Sequence, residues 1–330
     1  MPNLLITGYC NRSCPYCFAR GKIRKNGSGR RTAKKEISLE NAAYVVDFLK
    51  RSGHEVYSLL GGEPTLHPRF REIADHALSR GMTVRIFSNG LMDASVCRYI
   101  FRNNLAVILN INEPGDTPPA QRQQLETVFE NLGPNIWPGF NIYREDFDLS
   151  FLFRMIDRFR FNRAVRIGLA QPVHGGDNEF LSPEKYRSVG KRLAAFAAEA
   201  DRNDIRLNFD CGFVPCMFRT AEMGRLVAAH ADLKFSCGPT IDIDPDLNTW
   251  SCFPLSSIQN RRLTDFSTLG EVMDHYGRFL GSYASSGIFP RCGRCRFLHR
   301  RQCPGGCVSH KLASAGAGLR SGKAAGGACR

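Results

Sequence analysis

The chain reads as an α/β protein, a partial (β/α)6 TIM-like barrel followed by a small cysteine-rich C-terminal domain. Three observations predict it. Within residues 1–204, short apolar runs alternate six times with stretches of helical periodicity, the pattern of a parallel sheet with helices outside. Three glycine-, asparagine- or cysteine-bearing segments fall just past strand ends, where sites lie in such sheets. Within 205–330 helical periodicity weakens, and nine of the thirteen cysteines follow.

The elements can be justified in order. Residues 4–8, LLITG, form the first strand. Residues 38–51 form a helix, with Ser38 as N-cap and Leu39, Ala42, Ala43, Val46 and Leu49 on one face. A strand over 56–60 ends at Gly61-Gly62-Glu63-Pro64, and a helix over 68–80 stops at Gly81. A strand over 83–87 ends at Ser88-Asn89-Gly90 and leads to a helix over 94–103. Strand 106–111, helix 119–131, strand 136–143 and helix 149–159 follow. Strand 165–170 ends near Pro172, and helix 183–200 closes the sixth unit. Six units are too few for a closed eight-fold barrel, so the barrel is open. The Gly/Ala-rich tail over 313–330 has the composition of a disordered segment, against which stands Cys329 alone.

Composition narrows the function. The 330 residues are 43% hydrophobic and 23% charged, as in an ordinary soluble protein. No apolar run approaches the roughly 20 residues of a membrane span, and no secretory signal opens the chain. A cytoplasmic location is therefore expected, and there cysteines stay reduced and serve metals before disulfides. The formal charge of +14 suits an acidic partner. Part of it lies in the stretch 20–35, RGKIRKNGSGRRTAKK, which reads as an exposed, mobile loop. No nucleic-acid-binding motif accompanies it.

The cysteines carry the chemistry. Cys10, Cys14 and Cys17 stand as C-x3-C-x2-C directly after the first strand. Three thiolates can hold three irons of a [4Fe-4S] cube and leave the fourth iron open to a small molecule. A zinc site is the alternative. Cys97, within a helix, reads as an inert buried thiol.

With GGEP and SNG at the next two strand ends, the triad resembles that of the radical S-adenosylmethionine (SAM) superfamily. The resemblance covers about residues 1–200. It implies that SAM chelates the open iron through its amino and carboxylate groups. One-electron reduction then yields a 5′-deoxyadenosyl radical that takes a hydrogen atom from a substrate. It implies roles for Cys10, Cys14 and Cys17 as cluster ligands, and for Tyr16 near the adenine. Gly61, Gly62, Glu63 and Pro64 match the segment that meets the SAM amino group. Ser88 and Asn89 match SAM contacts, with Asn110 or Asn112 as a further one, and Gln171 and Pro172 could flank the adenine. It also implies a flavodoxin or ferredoxin as electron donor.

The later cysteines resemble those of a SPASM domain, which holds two auxiliary [4Fe-4S] clusters. Cys237 and Cys252 are spaced C-x14-C, and Cys292, Cys295, Cys303 and Cys307 run C-x2-C-x7-C-x3-C. By this resemblance the first auxiliary cluster uses Cys237, Cys252, Cys307 and either Cys211 or Cys216. The second uses Cys292, Cys295, Cys303 and Cys329. The member of the pair Cys211 and Cys216 left over is structural or donates a hydrogen atom to a product radical. The family pattern has glycine five residues before the second of these cysteines, where this chain has Leu247, and its third gap is shorter than the seven residues here. Zinc is the alternative for Cys292 to Cys307. Glu113, Asp116, Tyr143, Arg144, His174 and Asp210 are candidates to line the cavity.

The expected function is a radical SAM modification of a peptide or protein by crosslink, epimerisation or oxidation. Oxidation or epimerisation of a small molecule such as a sugar or aminoglycoside is the first alternative. The first strand starts at once, so no separate leader-binding domain is expected ahead of it, which suits that alternative. A non-catalytic Fe–S or zinc protein is the alternative from another class.

Overall fold

The structure is a computed structural model that describes residues 2–19, 24–25 and 36–321. Most of the basic 20–35 stretch, and Cys329, lie outside the described residues.

Ten strands form one sheet. They are β1 (Asn3–Leu5), β2 (Val56–Leu60), β3 (Thr83–Ser88), β4 (Ala106–Asn110), β5 (Ile136–Ile142), β6 (Ala164–Leu169), β7 (Arg206–Phe209), β8 (Asp242–Ile243), β9 (Asn248–Trp250) and β10 (Arg261–Arg262). The strands from β1 through β7 are neighbours in chain order and all parallel. Between them run α1 (Leu39–Arg51), α2 (Phe70–Ser79), α3 (Ala94–Arg102), α4 (Pro119–Leu132), α5 (Ser150–Phe159) and α6 (Tyr186–Arg202). Ser38 caps α1, its hydroxyl accepting from the Asn41 N–H at 3.1 Å. Gly81, at φ +71°, lies just past the end of α2.

The six βα units are present, and a seventh parallel strand follows them. β7 pairs parallel with β6 in the register Val165 to Leu207. Its four residues, Arg-Leu-Asn-Phe, alternate polar and apolar, so no apolar run marks it. On the other side of the sheet β8 pairs parallel with β1, Asn3 facing Asp242, and β9 and β10 extend that edge antiparallel. A line at residue 204 therefore runs between α6 and a strand of the same sheet.

One face of the strands packs under the helices. Val84, Ile86, Val107, Leu109, Val165, Ile167, Leu207 and Phe209 join the main core with α1 to α6. The other face is polar, with Asn110, Asn141, Arg166 and Asn208 half-buried on it. Helices also persist past residue 205, against expectation. They are α7 (Thr220–Ala228), α8 (Leu269–Gly281), the single turn α9 (Arg296–His299) and α10 (Val308–Ser321). α8 buries Val272, Tyr276 and Leu280 on one stripe and is capped by Thr268. α10 makes residues 313–321 helical where disorder was expected. No helix among the described residues is long and apolar enough to cross a membrane.

Candidate functional site

The loop after β1 is clamped by the loop after β2. The Gly62 N–H donates to Thr7 O at 2.8 Å and the Glu63 N–H to Tyr9 O at 2.6 Å. A Cβ on Gly62 would stand 1.9 Å from Tyr9 O, and one on Gly61 2.9 Å from Thr7 O. The glycine pair is thus required first by the backbone that carries Cys10.

Glu63 is fully buried and turned into the protein. Its carboxylate accepts from the Thr65 hydroxyl at 2.7 Å, the Ser88 hydroxyl at 2.9 Å and the Asn89 N–H at 2.8 Å. Burial pushes its pKa up against these hydrogen bonds. Glu63 and Ser88 therefore join the GGEP and SNG segments to each other.

Amide groups surround the thiols. The Arg12 N–H donates to Cys10 Sγ at 3.4 Å, Asn89 Nδ2 approaches the same sulfur at 3.6 Å, and Asn112 Nδ2 approaches Cys14 Sγ at 3.9 Å. Asn89 Nδ2 also donates to Asn11 Oδ1 at 2.9 Å. A side-chain chain links two strand ends to the cysteine loop. Asn141 Nδ2 donates to Asn110 Oδ1 at 2.6 Å, Asn110 Nδ2 donates to the Tyr16 hydroxyl at 2.6 Å, and that hydroxyl donates to Asn112 Oδ1. The Tyr16 ring lies 5.0 Å from that of Tyr143. Burial, then the Cys14 thiolate, raises the Tyr16 phenol, so it stays protonated. Burial raises the Cys10 thiol as well, and Glu63 and Cys14 add to it. A thiolate there needs a cationic ligand beside it.

Arg12, Asn89, Asn110 and Asn112 also line one side of a cavity of about 210 Å³ whose opposite wall is apolar, with Leu125, Phe129, Phe151 and Met155 of α4 and α5. Arg12 Nε and Nη2 are buried with no hydrogen-bond partner. Arg12, Asn11 and Asn141 were missed from the sequence. The signal for Asn141 was its place near the end of a strand, as with Asn89 and Asn110.

The other lining candidates divide. Glu113, Asp116 and Tyr143 gather on Arg144, whose Nη2 lies 2.5 Å from Glu113 Oε2 and 3.1 Å from Asp116 Oδ2. Asp210 pairs with Arg166 on the polar face of the sheet. His174 is elsewhere, its Nδ1 3.0 Å from the Ser257 hydroxyl. Gln171 is buried against Gly212. Cys97 is buried in α3, which pushes its thiol up to about 11.

The later cysteines fall into two groups. Cys211 follows Asp210, and its thiol is pushed up to about 12 by burial, by Asp210 and by Cys237. Cys211 is an exposed residue. Burial raises Cys252, with Cys307, Cys211 and Cys237 adding to it, and Cys307 in turn feels Cys237 and Cys211. Around Cys303 the neighbouring thiols are Cys216, Cys292 and Cys295. Cys211 thus neighbours Cys237, Cys252 and Cys307, and Cys216 neighbours Cys303, while Tyr186 stands close to Cys307, Cys216 and Cys211 alike.

The donors of these groups are thiols, the ligand type of iron–sulfur cubes. Among the described residues no three His, Cys, Asp or Glu side chains are gathered around a single ion position.

Comparison with known proteins gives three findings. Residues 4–122 match the Radical SAM superfamily. An S-adenosylmethionine-dependent nucleotide dehydratase of Selenomonas ruminantium is 34% identical over 89 residues, 27% of this chain and 29% of that protein. The mycofactocin maturase MftC of Mycobacterium ulcerans is 30% identical over 86 residues, 26% of this chain and 21% of that one. The aligned stretches thus span less than a third of either relative. The fold is shared with Streptococcus suis SuiB, solved with S-adenosylmethionine and with its precursor peptide SuiA. In the S-adenosylmethionine complex the TM-score is 0.66 at 15% identity, covering 94% of this chain and 73% of SuiB.

Proposed function

We propose that this chain, which belongs to the radical SAM superfamily through residues 4–122, is an enzyme that abstracts a hydrogen atom from a peptide or protein substrate. The observation that carries the reading is the Cys10, Cys14 and Cys17 loop seated on Gly61-Gly62, with amides directed at its sulfurs.

Cys10, Cys14 and Cys17 would hold a [4Fe-4S] cluster, which together with SAM would supply one-electron reductive cleavage and so a hydrogen-abstracting radical. The protein does the rest. Asn89, Asn112 and the Arg12 N–H spread negative charge away from the sulfurs. Tyr16, fixed by Asn110 and Asn112, offers a ring face to the adenine. The free nitrogens of Arg12 offer a cation to a carboxylate. Arg144, with Glu113 and Asp116, forms a polar rim where a substrate backbone could hydrogen-bond.

Cys237, Cys252, Cys307 and Cys211 would hold one auxiliary cluster. Cys292, Cys295 and Cys303 would hold a second, with Cys216 or Cys329 as its fourth ligand. A peptide substrate is supported by the names of similar proteins, a maturase and a protein solved with its precursor peptide. The charge of +14 suits an acidic peptide, and equally a flavodoxin or ferredoxin as donor in the cytoplasm. The nucleotide dehydratase favours a small-molecule substrate as the second reading.

Anaerobic reconstitution tests the proposal. About twelve irons per chain are expected for three cubes, with 5′-deoxyadenosine formed only when reductant is present. A fully reconstituted chain that leaves SAM intact overturns the reading. A candidate peptide then separates the two substrate classes by whether it gains a change in mass.

A further inference from the structure

Lys311 is a buried cation placed among cysteines. It lies in the first turn of α10 and is 8% exposed. Its Nζ donates to Tyr283 O at 2.8 Å and to Pro304 O at 2.6 Å, which pins the ammonium and leaves one N–H unassigned. It shares a cavity of about 150 Å³ with Cys237, Leu280 and Val308. Burial lowers the pKa of its ammonium, and the groups that oppose this are Cys237, Cys307, Cys303 and Cys292. These come from both cysteine groups. A buried charge is costly unless something nearby compensates it; the two carbonyls do so in part, and the four cysteines would do so as cluster thiolates. The same helix end adds backbone donors, with the Val308 N–H directed to Cys237 and the Ser309 and His310 N–H groups to Cys307.

We infer that Lys311 is a fixed cation shared by the two auxiliary cysteine groups, and that it raises the reduction potential of the clusters they hold. The inference rests on the auxiliary-cluster reading above. A reduced cluster carries one more negative charge than an oxidised one, so a nearby immobile ammonium stabilises the reduced form. Two carbonyl tethers keep that charge in place when the electron arrives.

The experiment compares full-length wild type, Lys311→Met, Lys311→Gln and Lys311→Arg after anaerobic reconstitution. Iron content and EPR-monitored redox titrations are the readouts. The expected result is unchanged iron, auxiliary signals moved to more negative potential in Lys311→Met and Lys311→Gln, and return toward wild type in Lys311→Arg. Lys311→Gln can still donate to the two carbonyls, and so serves if the Met variant fails to fold. Full iron with unmoved potentials in the neutral variants overturns the role of Lys311 and leaves the clusters standing. A wild type that binds only about four irons overturns the cluster reading and this inference with it.

Discussion

Leu247 stands where the resembled family carries glycine, and its backbone keeps the glycine conformation, φ +64°. It follows a turn closed by its own N–H on Asp244 O at 2.9 Å. A left-handed leucine costs about 1–2 kcal/mol, but burying its side chain returns about 1.5–3 kcal/mol, and Leu247 is a core residue. Glycine would also add backbone entropy to the unfolded chain. Leu247→Gly is therefore expected to lower stability by about 1 kcal/mol, read as a lower denaturation midpoint. At the cysteines, Cys211→Ala is expected to lose the first auxiliary cluster, about four of about twelve irons. Cys216→Ala is expected to lose iron from the second group. A Cys216→Ala chain with all its iron but no product would instead make that thiol the hydrogen donor.

Between elements, the clamp of one loop on another decides whether the triad forms. Gly62→Ala puts a methyl 1.9 Å from Tyr9 O, and the obstacle is backbone. The loop bearing Cys10 must move, so this variant is expected to lose the triad's iron, about a third of the total, while the auxiliary iron remains; iron counting and EPR check it. Much of this was legible in the sequence. The triad, GGEP and SNG were each found at a strand end, because short apolar runs bounded by glycine are strong local signals. The reason for the glycines was only half legible, since which backbone they approach is a tertiary fact. Strand β7 was hidden by its Arg-Leu-Asn-Phe alternation. Helix α8 was passed over among the cysteines, although Thr268-Leu269-Gly270-Glu271 is a capping signal. The companions of Cys211 and Cys216 depend on how α6, β7 and α10 pack, which no spacing encodes.

Across the whole molecule, Asp242 joins the two halves. Its carboxylate is buried on β8 and accepts from Asn3 Nδ2 on β1 at 2.7 Å. Burial raises its pKa to about 7, the Asn3, Trp250 and Phe253 hydrogen bonds notwithstanding. In the unfolded chain the value is about 3.9. The folded state thus binds the extra proton. The stabilisation is full below about pH 4 and is lost as pH rises toward 7, a span worth up to ~4 kcal/mol. Asp242→Asn is expected to flatten the stability profile between those pH values, measured by denaturant unfolding.

The same junction sets an order of events during synthesis. β1 leaves the ribosome first, yet its neighbour β8 lies 239 residues further on. Until those residues emerge, β1 can pair with β2 on one side only, and its other edge offers open backbone groups to any passing strand. Contacts closed over so long a separation form slowly. Expression at low temperature or with holding chaperones is thus matched to a nascent chain in which β1 must wait for β8.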